Sequence, residues 1–254
     1  MLNKTLVRKV EQKQWDDLAW FRCVWAEGVK LDPKPGQFFQ ILTNRDDIFL
    51  PRPISVFYCD DSGIEFLVRR RGRGSAAIVD SDELFLIGPL GNWFKGPEAN
   101  GKIGLLAGGV GLAPLNFFIR TCLSAEKEFV LVWSVRDGKQ ARKVISDILT
   151  YYQIEVFSED GMFGRKGNGI DAGEYILSLG IGCLYMCAPL AMMESVYRMV
   201  KRDRVKDVQC SLEANMACGW GACKGCLTEF LGRKLYVCKD GPIVRVLGDD
   251  KVLR

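Results

Sequence analysis

Residues 102–114 read Lys102-Ile103-Gly104-Leu105-Leu106-Ala107-Gly108-Gly109-Val110-Gly111-Leu112-Ala113-Pro114. An apolar run, a group of glycines and an apolar helix expected over about 112–122 form the strand, loop and helix of a dinucleotide half-site. Gly109 and Gly111 let the backbone approach a pyrophosphate at the helix start. The pattern is G-x-G-x-x-P, and Pro114 is tolerated because the first helical turn has no N–H bond to lose. Tight structural turns between strand and helix use the same residues, so the loop takes its meaning from the strands and helices on its C-terminal side.

Toward the C-terminus, strands are expected at 129–134, 154–157 and 183–187, and helices at about 140–149, through Tyr175, and from Pro189 to Met199. Alternating strands and helices make a parallel, doubly wound sheet. Cys187 ends the last of these strands, where such sheets bind ligands. It equally suits a small buried hydrophobe. Arg136 could pair a 2′-phosphate and Asp137 could accept from a free ribose hydroxyl, so the choice between NAD and NADP stays open.

Next come Cys218, Cys223, Cys226 and Cys238, spaced C-x4-C-x2-C-x11-C. The first two intervals are those at which thiolates hold a 2Fe–2S cluster, with a fourth cysteine returning from further along. Glycines at 219, 221 and 225 let the loop fold tightly and aim N–H groups at the sulfurs. Zinc held by four cysteines uses the same ligands, usually as two C-x2-C knuckles. A hairpin around 231–234 is expected to return Cys238, and Cys210, outside this spacing, is read as structural.

Composition narrows the chemistry. The chain has 254 residues, of which 48% are hydrophobic, enough for more than one globular unit. Ten cysteines without an N-terminal apolar segment point to a reducing compartment, the cytoplasm. No run is long and apolar enough to span a bilayer, and a net charge of +4 is too mild to imply nucleic acid. There is no histidine, which removes Ser-His and Cys-His nucleophile pairs and the usual catalytic zinc sites. The chemistry must therefore ride on a cofactor, and no side chain is assigned as catalytic.

From Trp15 to about Leu86 short β-rich runs alternate with turn signals, as in a small barrel or sandwich. Within it, Leu50-Pro51-Arg52-Pro53-Ile54-Ser55-Val56 begins a strand whose prolines fix the backbone. Phe66-Leu67-Val68-Arg69-Arg70-Arg71-Gly72-Arg73-Gly74-Ser75 runs from a strand through glycines into a helix start, which directs free N–H groups at a phosphate. A solvated basic face is the plain alternative for these arginines.

An Arg-Pro-x-Ser strand followed by Gly-x-Gly-Ser, then by Gly88-Pro89-Leu90-Gly91-Asn92, resembles the flavin-binding barrel of the ferredoxin-reductase family. With the nucleotide domain and the cysteine module, it resembles the electron-transfer subunit of heteromeric bacterial dihydroorotate dehydrogenases. Three runs carry this second likeness: Arg52 to Ser55, Ser211-Leu212-Glu213 through Cys226, and Val237 to Pro242. Departures are Ser75 where threonine is usual, Ala107 for a third glycine, and Ala188 in the Cys187-Ala188-Pro189 that stands for the family's Cys-Gly-Pro.

The resemblance implies a flavin barrel at 1–98, an NAD-binding α/β domain at 99–204 and a cluster module at 205–254. It implies FAD held by Arg52, Pro53, Ile54, Ser55, Leu67, Val68, Arg69, Gly74 and Ser75, and a nicotinamide contact at Cys187. Cys218, Cys223, Cys226 and Cys238 would hold the cluster, and NAD would be the co-substrate. A catalytic partner carrying FMN is implied, in a heterotetramer of two subunits each, passing electrons from dihydroorotate through cluster and FAD to NAD. Flavin must stand between nicotinamide and cluster because it alone of the three exchanges electrons both singly and in pairs. Three rivals are an oxygenase reductase, whose ferredoxin module is longer than 211–254 allows, the small subunit of an NADH-dependent ferredoxin:NADP oxidoreductase, whose ligands usually include an aspartate, and a flavin-free zinc-binding interaction protein.

Overall fold

A computed structural model describes residues 4–97, 101–123 and 127–247. The expected 98/99 boundary and the residues after 247 lie outside the described residues.

The N-terminal part is a closed antiparallel barrel, as its alternating apolar runs require. Its strands are β1 (Lys4–Trp15), β2 (Leu18–Trp25), β3 (Phe38–Leu42), β4 (Arg52–Asp60), β5 (Gly63–Arg69) and, after helix α1 (Arg73–Asp80), β6 (Glu83–Leu90), in the order β1-β2-β5-β4-β3-β6. Phe21, Phe39 and Phe66 fill the interior, Phe39 meeting Phe66 edge-on at 6.3 Å. Each such buried ring contributes roughly 1.5–3 kcal/mol. On β3 the side chains alternate: Phe39 and Ile41 pack in the barrel, while Phe38 joins the core on the other side of the wall. The Lys9 ammonium donates to the Val79 carbonyl at the end of α1 at 2.6 Å, tying that helix over the barrel.

The second part is a seven-stranded sheet. It contains β7 (Ile103–Gly108), α2 (Leu112–Cys122), β8 (Phe129–Val135), α3 (Gly138–Ile148), β9 (Ile154–Ser158), β10 (Arg165–Lys166), α4 (Gly169–Ser178), β11 (Cys183–Cys187), α5 (Leu190–Met199) and β12 (Asp207–Ser211). Asp137 begins α3 by accepting the Gln140 N–H at 2.9 Å. The cysteine segment follows, with hairpin strands β13 (Leu227–Phe230) and β14 (Arg233–Tyr236), the short α6 (Val237–Asp240) and β15 (Ile243–Leu247). Leu231 and Gly232 turn the hairpin with φ of 51° and 76°.

The sheet order is β10-β9-β8-β7-β11-β12-β15, parallel except that β15 runs antiparallel to β12. The terminal segment thus contributes two strands to the sheet as well as a cysteine loop, and residue 205 does not separate two independent cores. Asn92, on the chain leaving the barrel, exchanges hydrogen bonds with the backbone of Ile243 at 2.7 and 2.8 Å. Barrel, sheet and tail are joined there. Among the described residues no helix is long and apolar enough to cross a membrane.

Candidate functional site

Barrel, sheet and cysteine segment meet around a cleft of about 760 Å³. The barrel wall includes Arg52, Pro53, Ile54 and Ser55 from the start of β4, Leu67, Val68 and Arg69 from the end of β5, and Gly74 and Ser75 from α1, with Phe38 of β3 and Arg71 to Arg73 beside them. All nine barrel residues singled out in the sequence line this one cavity. They meet because β4 and β5 are antiparallel neighbours, which sets the start of one beside the end of the other.

Local chemistry shapes that wall. Arg52 donates to the Leu50 carbonyl at 3.0 Å, and its guanidinium lies so close over Gly74 that a Cβ there would stand 2.3 Å from Nε. Gly72 begins α1 with no side-chain cap, so the free N–H groups of the first turn belong to a cleft wall. The Ser75 hydroxyl accepts the N–H groups of Arg71 and Gly72 at 2.9 and 3.2 Å and so holds that loop in place. Arg69 is fixed by Asp17 at 2.6 Å, and Gln140 of α3 donates to the same carboxylate at 3.1 Å. Burial works against ionising Asp17, but Gln140 and Arg69 outweigh it and hold its carboxyl below the usual value.

The sheet contributes Val110 and Ala113 to the cleft. Gly109, Gly111 and Cys187 are not among the lining residues. Gly109 has φ +54° and open space where a Cβ would point, so its backbone stays approachable. Gly111 is pressed against Cys187, which is 1% exposed, and burial, then Glu213, push that thiol well above its ordinary value. Both loops lie where β7 and β11 adjoin and the strand order reverses, the usual ligand crevice of such sheets.

The third wall is the stretch from Leu212 to Met216, with Pro242. Here sequence reasoning missed the cleft's floor: Ser211-Leu212-Glu213 carries no glycine or basic signature that marks it as such. Glu213 is open to the cleft yet ringed by protein, and desolvation raises its carboxyl despite the opposing Arg71.

The thiols come next along the chain. Cys226 and Cys238 are buried with their sulfurs 3.2 Å apart, too far for a disulfide. Cys218 accepts the N–H of Cys223 at 3.5 Å and also faces its thiol. Backbone N–H groups point at the sulfurs: Gly221 at Cys238 at 3.1 Å, Gly225 at Cys223 and Cys238 at Cys226, both at 3.4 Å. Burial opposes ionisation of Cys218, but the N–H groups of Cys223 and Trp220 win and bring it to about 6, whereas burial and Cys226 push Cys238 up to about 12. Among the described residues no three acidic, cysteine or histidine side chains gather as a group for one metal ion. The four thiols instead form two pairs, 218 with 223 and 226 with 238. That arrangement, with N–H donors already aimed at sulfur, fits a two-iron cluster, whose ligands divide between two metals. Cys210 is fully buried in the sheet core.

A flavin-type barrel, a pyridine-nucleotide sheet and an appended four-cysteine loop define a protein of the ferredoxin-reductase class. The fold agrees with that of an NADH-dependent reduced ferredoxin-NADP oxidoreductase, with TM-score 0.79, 23% identity, 96% of this chain and 90% of the other covered. It also agrees with the ferredoxin reductase of carbazole 1,9a-dioxygenase, with TM-score 0.65, 22% identity and coverage of 80% and 68%. Residues 213–246 match the iron-sulfur cluster binding domain of dihydroorotate dehydrogenase B. The electron transfer subunit of dihydroorotate dehydrogenase B (NAD(+)) from Clostridium acetobutylicum is 30% identical over 233 residues, 88% of each chain. That from Caldanaerobacter subterraneus is 31% identical over 218 residues, 83% of this chain and 85% of its own. The chain belongs to this family of dihydroorotate dehydrogenase B electron transfer subunits.

Proposed function

We propose that this chain carries electrons between a dihydroorotate-oxidising partner subunit and NAD. The observation that carries the reading is the continuity of one segment: Leu212 to Met216 forms a wall of the cleft, and Cys218, two residues on, begins the paired thiols. The barrel, 1–98, would hold FAD through the nine cleft residues, with Arg52 and the open first turn of α1 facing its phosphates. The sheet, 99–204, would take NAD at the Gly109 loop, and 205–254 would hold a 2Fe–2S cluster through Cys218, Cys223, Cys226 and Cys238.

Bound in these places, FAD exchanges a hydride with nicotinamide and single electrons with the cluster. The chain's own residues do the rest. Gly111 and Cys187 close the rear of the nucleotide crevice, and Leu212, fully packed, keeps water from the junction of cleft and cysteine loop. Cys223 is exposed, as is Trp220 beside it, so the thiol site has an open side on which an electron donor can arrive. The partner on that side would be an FMN-bearing catalytic subunit, two of each forming a heterotetramer.

The test is metal and flavin analysis of the purified chain, followed by anaerobic mixing with the catalytic subunit. About two irons per flavin, and NADH formation that needs both dihydroorotate and this chain, are expected. A colourless protein holding zinc would overturn the reading.

A further inference from the structure

Gln40 is a fully buried polar side chain with no part in the proposed electron path. It sits on β3, directly across from Pro53 of the cleft wall, and its neighbours Phe39 and Ile41 point into the barrel. Its amide therefore leaves the barrel through the opposite face, where the cysteine loop lies. Nε2 donates to the carbonyl of Ala217 at 3.4 Å, while Oε1 is buried without a hydrogen-bond partner. The Ala217 carbonyl fixes this orientation, because the flipped amide would set two acceptors against each other. Gly219, at φ +87°, is held so near that a Cβ on it would stand 2.7 Å from Gln40 Cγ and 3.0 Å from Nε2.

Residues 217 and 219 flank Cys218. An apolar side chain would fill the same space without burying an unpaired carbonyl, so packing alone does not explain a glutamine here. We propose that Gln40 is a positioning residue that couples the flavin barrel to the thiol site. Its N–H clamps the segment carrying Cys218, and its amide, with the positive end toward the loop, favours the extra negative charge of the reduced cluster. The link is short: β3 and β4 pair at Gln40 and Pro53, and one side-chain hydrogen bond then reaches the residue before Cys218. Donors near cluster sulfurs are a recognised means of setting the potential.

The inference rests on the proposed cluster, and the experiment separates the two. The wild-type chain is first assayed for iron and flavin; a chain without iron removes the cluster reading itself. Gln40→Met, which keeps the volume and removes the donor, is then compared by redox titration followed by electron paramagnetic resonance. The expected result is retained flavin and a tenfold shift of the cluster equilibrium toward the oxidised form, a fall of about 59 mV for one electron. Iron loss with flavin retained also supports the clamp. If Gln40→Met loses both, Gln40→Glu, of the same shape, decides by the same measurements: a lower potential, or iron loss with flavin retained, supports the proposal, and loss of both here as well overturns it in favour of a purely structural residue. An iron-replete variant with the wild-type potential and spectrum overturns it.

Discussion

Gly111 lies against the main chain of Cys187, so that a Cβ built on it would stand 1.9 Å from the Cys187 carbonyl oxygen and 3.1 Å from its sulfur. The contact joins the start of α2 to the end of β11 at the point where the strand order reverses. Backbone, unlike a side-chain tip, cannot swing away. Gly111→Ala should therefore lower stability by about 1–3 kcal/mol or more through overpacking. Gly109→Ala meets open space and should cost only its left-handed backbone, about 1–2 kcal/mol. Denaturant melts of the two variants test the order, and a Gly109 variant clearly worse than the Gly111 variant would contradict this packing.

Gly74 offers the opposite case, because the atoms above it are the mobile end of Arg52. Gly74→Ala should leave the fold no less stable, since alanine suits a helix better by about 1 kcal/mol. It should nonetheless displace the guanidinium and weaken flavin retention about tenfold, the scale of one charge-assisted hydrogen bond. In an Arg52→Ala background the same change should do little more, since the two act on one contact. Flavin titration of both single variants and the double variant tests this, and fully additive losses would mean that Arg52 and Gly74 act separately.

Much of this architecture is legible because it is local. Strand, glycine loop and helix at 102–122 announce themselves through periodicity, and α2 spans Leu112–Cys122, as the apolar run predicts. Residues that matter through distant neighbours are not legible in this way. Ile243 to Leu247 becomes an edge strand because β12 has an open side and Asn92 anchors Ile243, two partners far away in the sequence. Gln40 is buried with the cysteine loop against it, a cover that nothing near it in the sequence announces. Cys187 has the position of a ligand contact, but Gly111 packs in front of it. The floor from Leu212 to Met216 was hidden for the same reason: the fold alone brings it under the barrel.

The thiol pairs predict a clean division of labour. Cys226 is 2% exposed and lies 3.2 Å from Cys238. Cys226→Ala removes half of one pair and should abolish iron binding. Ile54 and Val68 of the cleft's barrel wall pack in the barrel core, apart from Cys226 and Cys238, so flavin should remain, together with NADH oxidation by ferricyanide. Dihydroorotate-dependent NADH formation with the catalytic subunit should disappear. Iron and flavin analysis checks both halves, and full linked turnover by an iron-free variant would refute the role given to these cysteines.

Glu213 carries a pH signature. Desolvation in the cleft raises its carboxyl above the ordinary 4.5, with Arg71 opposing. The folded state then holds the proton more tightly than the unfolded chain. Between the ordinary and the raised value it binds more protons, so stability falls as pH rises through that window and stays reduced above it. This is the reverse of a salt-bridged carboxylate, whose contribution is lost on acidification. Glu213→Gln removes the charge and should make the protein more stable at neutral pH. The advantage should shrink on acidification and vanish below the ordinary carboxyl value, where both side chains are neutral. Removing the opposing cation in Arg71→Gln should widen, at neutral pH, the stability difference that Glu213→Gln makes. Denaturant midpoints for each pair of proteins at matched pH cancel losses common to both. A Glu213→Gln advantage that is absent at neutral pH, or that grows on acidification, would show that this carboxylate is stabilised in the cleft.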